Sequence, residues 1–520
     1  MAQKSDHTAR TVSWVMAITL IGKMLGLYRD RLLAVHYSVG MEANAFFTAS
    51  RIPRVFFDAV FASAIAACFI PVFSEYLEKR GREEAQRFAG QFISVIVLLT
   101  GGLSVLGMLF PGPLVALFAD YDDPATTALA VSLTRVLFPT VLFSGAAFSF
   151  VGVLQAQDHF TAPALMSAVS NGAIIAYFLL LDDQLGIYGL AGAYLLGWLL
   201  QAAIQLPSLK RTGFRFRPGL PLGSEGMKKV FALMGPVMVS TWVQPINLVI
   251  NSRFGSRLYD GGGVAVLEYS TNLYLVIAGT FVLSVTNVIF PRLSRMAAGE
   301  RQGELEDTLR MSLHGTLFFV LPMAAGLMLL ARPLISFLYG GGQFDGQSVE
   351  LTASALTWLS LGMVGYAAQN ILSRAYFARQ KGMAPLVAGA CSIGANLLLC
   401  ALLVEPLGIV GLGPVQRRLL YGIRSAAADP HAAGACGEQS PDVGSGKNAA
   451  VRPADGGGGV GCPGRTGPAP ARGQGGGAAA DGGVRPDRVR GVLYGSRADG
   501  SAGGKAPAAA GGAAWKGRLT

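Results

Sequence analysis

The chain has 520 residues, 52% of them hydrophobic and only 14% charged, with a formal net charge of +11. A soluble domain carries nearer a quarter charged residues, so this composition excludes a soluble enzyme and describes an all-α polytopic membrane protein, its positive balance lying in basic cytoplasmic loops rather than marking a nucleic-acid partner. The five cysteines are too scattered for a disulfide framework or paired metal ligands, and Cys68, Cys391 and Cys400, inside apolar runs, read as inert packing residues.

Apolar runs of about 20 residues predict eleven helices before residue 405. In chain order they lie near 11–36, 44–76, 86–118, 126–155, 163–181, 186–207, 226–258, 264–292, 308–338, 350–377 and 384–404. Lys23 and Arg29 interrupt the first run and more spans follow, so no cleavable signal is expected. The loops alternate in charge. One set ("EYLEKRGREEAQR", "SLKRTGFRFRPG", "PRLSRMAAGERQ", "FARQKG") is rich in Lys and Arg. The other ("DYDDPATT", "LDDQ", "YDGGG", "GGGQFDGQS", "VEPLG") has acids and neither Lys nor Arg. The positive-inside rule puts the basic set, and the N-terminus, in the cytoplasm.

Two segments repeat without a gap. "APALMSAVSNGAIIAYFLLLDDQLGIYGLA" begins at Ala162 and "APLVAGACSIGANLLLCALLVEPLGIVGLG" at Ala384, matching Gly172 to Gly394. "FIPVFSE", with Pro71 and Ser74, echoes "IFPRLSR", with Pro291 and Ser294. The expected organisation is two six-helix lobes related by a parallel internal repeat, over 1–207 and 226–413, joined by a basic linker at 208–225. Such repeats favour a transporter with a site between the halves.

After "LGIVGLG" the repeat fails. Residues 414–520 are rich in Gly, Ala, Arg and Pro and lack apolar periodicity, a composition that reads as disordered. A one-base frame shift is the preferred reading. With GC-rich codons "QRRLLYGIRSAAADP" becomes "SAVSSTASALLLLIP", an apolar helix, and no site is sought in this region.

No enzyme signature is present: no Walker loop, no metal-ligand cluster and only five His. Asp122 and Asp123 read as solvated loop acids, and the "GGG" runs at 261–263 and 340–342 as turns. The informative residues are ionisable groups inside spans, which are costly in lipid and face a cavity or a partner. Helix 1 carries Lys23, Arg29, Asp30 and Arg31, the last read as reaching an interface. Helix 2 carries "RIPRVFFD", with Arg51 and Arg54 on one face, Asp58 a turn further on, and Pro53 loosening the helix. Such a cation cluster suits a phosphate or diphosphate gripped by Arg forks; the alternative is structural ion pairing. Arg135 is a weaker candidate for the same cavity. The second half offers mainly neutral amides, among them Gln244, Asn247, Asn251 and Asn272. Interhelical hydrogen bonding is their default role, with a small-cation site at Asn251 and Asn396 as the alternative.

"GKMLGLYRDRLLAVHYSVGMEANAFFTASRIPRVFFDAVFASAIAACFIPVFSEY" resembles the opening of the lipid II flippase family (MurJ, also called MviN), in the superfamily of multidrug and oligosaccharidyl-lipid exporters. The likeness runs to about residue 413. It implies fourteen transmembrane helices: two six-helix lobes plus two helices forming a lipid-tail groove. It also implies a non-enzymatic carrier of undecaprenyl-diphosphate-linked cell-wall precursor across the bacterial inner membrane, with no cofactor, coupled to membrane potential or a monovalent cation, and working beside the cell-wall synthesis machinery. Arg29 and Asp30 match the family's helix 1 pair and Lys23 an Arg position. Other family positions are not kept: the helix 2 Arg aligns with Phe57, next to Arg54, the helix 8 Arg with Asn272, and an acid with Asn44. The substrate-binding set expected is Lys23, Arg29, Asp30, Arg51 and Arg54, with Arg135, Asn251 and Asn272 lining the cavity. The alternatives are an exporter of other polysaccharide lipids or drugs, a membrane glycosyltransferase, which would need catalytic acids or a large outer loop, and an inactive product of the shifted frame.

Overall fold

A computed structural model describes residues 2–57, 61, 65–219, 224–299, 301–379 and 383–407. Asp58, most of the second "LGI" motif and the 414–520 tail, for which a shifted frame is expected, lie outside the described residues. Within them the molecule is helical, and its one β contact is an isolated bridge between Gly341 and Phe344.

Each apolar run becomes a helix or a broken pair. The first is α1 (Ala2–Tyr37). The second divides into α2 (Met41–Phe57) and α3 (Ile70–Lys79), with a π-helical turn at Ile65–Phe69 before α3. The third breaks at Phe110 into α4 (Arg82–Leu109) and α5 (Pro111–Phe118). The fourth breaks at Phe138–Pro139 into α6 (Pro124–Leu137) and α7 (Thr140–Gln155). Proline removes an N–H and clashes with the preceding turn, which accounts for the second of these breaks and favours Pro111 as a helix start. Asp123 is no idle loop acid: it caps α6, accepting from the amides of Ala125 (3.1 Å) and Thr126 (3.0 Å).

Next come α8 (Thr161–Leu180), α9 (Asp182–Ala203), kinked at Gly186, and the short α10 (Leu206–Arg211). The second half contains α11 (Glu225–Thr241), α12 (Val243–Gly255), α13 (Gly263–Tyr274), α14 (Thr280–Ala298) and α15 (Gln302–Tyr339). A second π-helical turn, Leu275–Gly279, joins α13 to α14. The series ends with α16 (Gly346–Leu361), α17 (Met363–Ala378) and α18 (Met383–Leu407).

Among the described residues seven helices are long and apolar enough to cross a membrane, eight if α16 and α17, bent by 43°, form one span. The expected runs outside that set are α1, α2 with α3, and α11 with α12. Of these, α1 and α2 carry all the cavity cations, and α12 carries the cavity residues Gln244, Asn247 and Asn251. Packing partners recur along the chain: α1 packs on α8 and α12 on α18, α2 on α6 and α13 on α16, α4 on α7 and α15 on α17. Cys68 and Cys400 are buried as expected, but Cys391 is exposed on α18, so it is not a packing residue.

At one end of the bundle the halves are closed against each other. The side chain of Asn44 accepts from the Ala265 amide (2.7 Å), in the first turn of α13, and donates to the carbonyls of Val39 and Gly40 (both 2.6 Å). Tyr269 donates to the Ser38 carbonyl (3.1 Å), and its ring stands edge-on to Phe47 at 5.2 Å. Gln343 donates its backbone N–H to Val35 (2.8 Å). That approach needs Gly342, whose φ is +55° and whose added Cβ would lie 2.5 Å from the Val35 oxygen. At the opposite end the linker is clasped to α4: Gln86 donates to the Gly213 carbonyl (2.8 Å), Arg217 pairs with Glu83 (2.8 Å), and the Gly219 amide donates to Ser94 (3.4 Å).

Candidate functional site

Two joined cavities occupy the middle of the bundle, of about 830 and 520 Å³. The larger runs from the centre toward the end that carries the basic loops, past Lys23, Asn171 and Trp198 to Gln155 and Phe160. The smaller lies toward the closed end, between α2, α12 and α13, and is lined by Arg51, Glu268, Gln244 and Asn251. Arg29, Asp30, Ser50, Arg54, Tyr194 and Asn272 line both.

Arg29 is the fixed point of this arrangement. Its Nε and Nη2 donate to one oxygen of Asp30 (3.0 and 2.6 Å) and its Nη1 donates to Asn171 Oδ1 (2.9 Å). Asn171 is itself held, donating to the Gly22 carbonyl (3.1 Å) and to Ser167 Oγ (3.3 Å). Asp30 takes a long second bond, 3.5 Å, from Asn272 Nδ2. A guanidinium has five N–H groups, so this set leaves one on each terminal nitrogen. The side chain is 25% exposed, at the junction of the cavities. Two free N–H groups from one planar group match two oxygens of a phosphate.

The other expected residues divide. Arg51 is 7% exposed and forms an ion pair with Glu268 of α13. Arg54 lines both cavities, within electrostatic reach of Glu268. Lys23 lines the larger cavity and crosses to the second half, its Nζ donating to Thr280 Oγ1 (2.6 Å). Asn251 and Asn272 line the smaller cavity. Arg135 does not line either: it is exposed on α6 and donates to the Met108 carbonyl (3.2 Å) near the end of α4. The buried residues of α6 are Thr126, Ala130, Leu133, Thr134 and Leu137, which leaves Arg135 on the opposite side. Arg31 is also outside, exposed and donating to the last-turn carbonyls of Phe337 (2.9 Å) and Leu338 in α15.

Asn44, where the resemblance implied an acid, is buried in the closed end and bonded to backbone. Asn396 donates to Asn247 (2.8 Å) and Cys400 lies 3.3 Å from the Asn396 oxygen, so these amides satisfy one another. Among the described residues no group of three His, Cys, Asp or Glu could hold a metal ion. The sequence reading missed Asn171 and also Glu268. The latter is the sole acid in the apolar run 264–292, which was the available signal.

Among the described residues, the charged side chains lining the two cavities are Lys23, Arg29, Arg51 and Arg54 against Asp30 and Glu268. Their net charge of +2 in a confined, partly dry space favours a dianion.

A family model described as "Lipid II flippase MurJ" matches residues 34–416. The chain is 30% identical over 414 residues to a probable lipid II flippase MurJ of Vibrio cholerae, covering 76% of this chain and 78% of that one. It is 28% identical over 385 residues to the lipid II flippase MurJ of Burkholderia cenocepacia, covering 72% and 74%. Among solved structures it is similar to a lipid II flippase MurJ in an inward closed conformation, with a TM-score of 0.67 at 25% identity, over 80% of this chain and 87% of that one. An inward-facing multidrug resistance transporter of the MATE family shares the fold alone, with a TM-score of 0.65 at 14% identity, over 82% and 99%.

Proposed function

Because the chain belongs to the lipid II flippase MurJ family, we propose that it carries a lipid-linked peptidoglycan precursor from the inner to the outer leaflet of the bacterial cytoplasmic membrane. It is a multi-pass membrane protein with its N-terminus in the cytoplasm, the orientation that the basic loops favour. The observation that supports this reading best is Arg29, fixed on two sides and open on the third, where the cavities meet. Its partners hold the guanidinium at a set angle before cargo arrives, so little side-chain entropy is lost on binding. The diphosphate of the precursor lies against Arg29, with Arg54 and Lys23 as further cations, while the sugar–peptide part fills the larger cavity. Closure at the outer end and access from the basic end make this an inward-facing state, and alternating access moves the halves about the site.

The charge balance bears on coupling. A diphosphate diester carries about two negative charges, so the loaded cavity is neutral and the empty one holds +2. Returning the empty carrier then moves positive charge toward the negative interior, worth about 2.3 kcal/mol per charge at 100 mV. Coupling to membrane potential is thus favoured over a monovalent cation at Asn251 and Asn396, where Asn396 is already bonded to a neighbouring amide. The precursor delivered outside becomes substrate for the cell-wall synthesis machinery there. A drug exporter of the same fold is the weaker reading, since four cavity cations suit an anion.

Residues 414–520 are read as the product of a one-base frame shift, and sequencing the coding DNA around codon 414 tests that. With the frame restored, Arg29→Ala is expected to abolish rescue of a flippase-depleted cell at normal protein level. Arg29→Lys keeps charge but loses the planar fork and rescues poorly, whereas Arg31→Ala rescues well. Full rescue by Arg29→Ala would sink the anion-site reading.

A further inference from the structure

Helices α2 and α13 meet along a seam that runs from the closed outer end into the smaller cavity. On α2 the seam residues are Asn44, Thr48 and Arg51, spaced four and three apart and so on one helix face. On α13 they are Ala265 and Glu268, again three apart. At the outer end Asn44 accepts from the Ala265 amide (2.7 Å). In the middle Thr48 shares a hydrogen bond with Tyr121 (2.6 Å), which donates back to the Asn44 carbonyl (3.0 Å). Phe47 and Tyr269 pack edge to face beside them. Only the inner end carries charge: Arg51 and Glu268, which both line the smaller cavity, with Glu268 still 19% exposed.

We infer that Glu268 is the specificity-determining residue of transport: it holds the outer seam shut through Arg51 until a diphosphate competes for that guanidinium. This rests on the diphosphate reading of the cavity. Arg29, Arg54 and Arg51 line the same smaller cavity, so an anion seated at Arg29 raises the local negative charge beside Glu268. Two anionic groups then share one Arg. A dianion engaged with Arg29 and Arg54 at the same time wins it, because its charge-assisted bonds are already assembled. Glu268 is left facing Asp30 and the cargo, both negative, and repulsion drives α13 from α2. What remains of the seam is neutral hydrogen bonds, each worth only about 0.5–1.5 kcal/mol net. A neutral glycolipid that fits the cavity leaves Arg51 with Glu268 and the outer end closed, so cargo charge selects which lipid crosses.

The test is a distance measurement between spin labels at the exposed outer positions Asp122 and Gln347, one in each half, in full-length protein with its native cysteines replaced. Inorganic pyrophosphate is the probe and inorganic phosphate the control. In the otherwise unaltered protein pyrophosphate is expected to lengthen the distance, phosphate far less. Glu268→Gln removes the competitor but not the packing. It is expected to populate the long distance with no anion present and to bind pyrophosphate about tenfold more tightly. Exchanging the pair (Arg51→Glu with Glu268→Arg) is expected to restore the short distance, which a general loss of packing would not do. A Glu268→Gln protein that stays short without anion overturns the inference, whatever its affinity. Pyrophosphate binding absent from the unaltered protein, or unchanged in Arg29→Ala, overturns instead the diphosphate reading from which it starts.

Discussion

Helices α1 and α2 bring four cations and one carboxylate to the cavities, whereas α12 and α13 bring the amides Gln244, Asn247, Asn251 and Asn272 and the single carboxylate Glu268. Helix pairs that pack in matching ways thus serve unlike electrostatic ends. The first half gathers the cations; the second lines the space with neutral groups and sets one acid against Arg51. On the proposed reading, an anion held by the first half can stay with it while the other half moves away.

The comparison breaks most readily at Arg29. Arg29→Ala is expected to lower pyrophosphate affinity about ten- to a hundredfold, or about 1.5–3 kcal/mol for charge-assisted bonds, by titration calorimetry. Asn272→Ala, which removes the second-half amide bonded to Asp30, should change affinity far less, and equal losses would end the distinction between halves. Asn44→Ala tests how neutral groups hold the second half. It strands the buried Ala265 amide and the Val39 carbonyl, and is expected to cost about 1–3 kcal/mol of stability, read as a lower melting temperature in detergent, with pyrophosphate affinity retained. Asn171→Ala sharpens the account of Arg29. Losing one neutral partner while Asp30 remains is expected to weaken binding severalfold, about 0.5–1.5 kcal/mol.

The smallest effect is expected at Asp120, outside the spans. The Arg257 guanidinium, 2.5 Å away, and then Arg253 hold its carboxyl below the ordinary carboxylate range, joining α5 to α12. A depressed folded value means that this contact contributes above the usual carboxylate pKa and is lost as pH falls through the lowered one. Label distance at the outer end should therefore be flat from about pH 5 to 8 and lengthen slightly only below about pH 4. All three groups are more than 40% exposed, so Asp120→Asn at neutral pH should cost under about 1 kcal/mol.

Much of this could be read before any coordinates. Charges that are expensive in lipid announce a cavity, so Lys23, Arg29, Asp30, Arg51 and Arg54 were identifiable from residue type and span alone. Arg135 was misassigned because residue type does not give the side of a helix; the spacing of Ala130, Leu133 and Leu137 carried that information. Glu268 was visible as an acid in an apolar run, but its partner lies 217 residues away in the chain, and no periodicity within one helix reports what that face meets. Asn171 was hidden for a different reason: a buried amide that positions Arg29 looks, in sequence, like any interhelical hydrogen bond. The break at Phe138–Pro139 was signalled by its proline, whereas the π-helical turn at Leu275–Gly279 has no Pro or other strong local signal.

The clasp that ties the linker to α4 sets a leash on the carrier's stroke. Gly219 is the last described linker residue fastened to the first half, through Ser94, and α11 of the second half starts at Glu225. Six residue steps of fully drawn chain span at most about 20 Å. However the halves rock, the anchored end of the linker and the start of α11 can part no further than that, so the arc travelled at the basic end has a ceiling fixed by chain length.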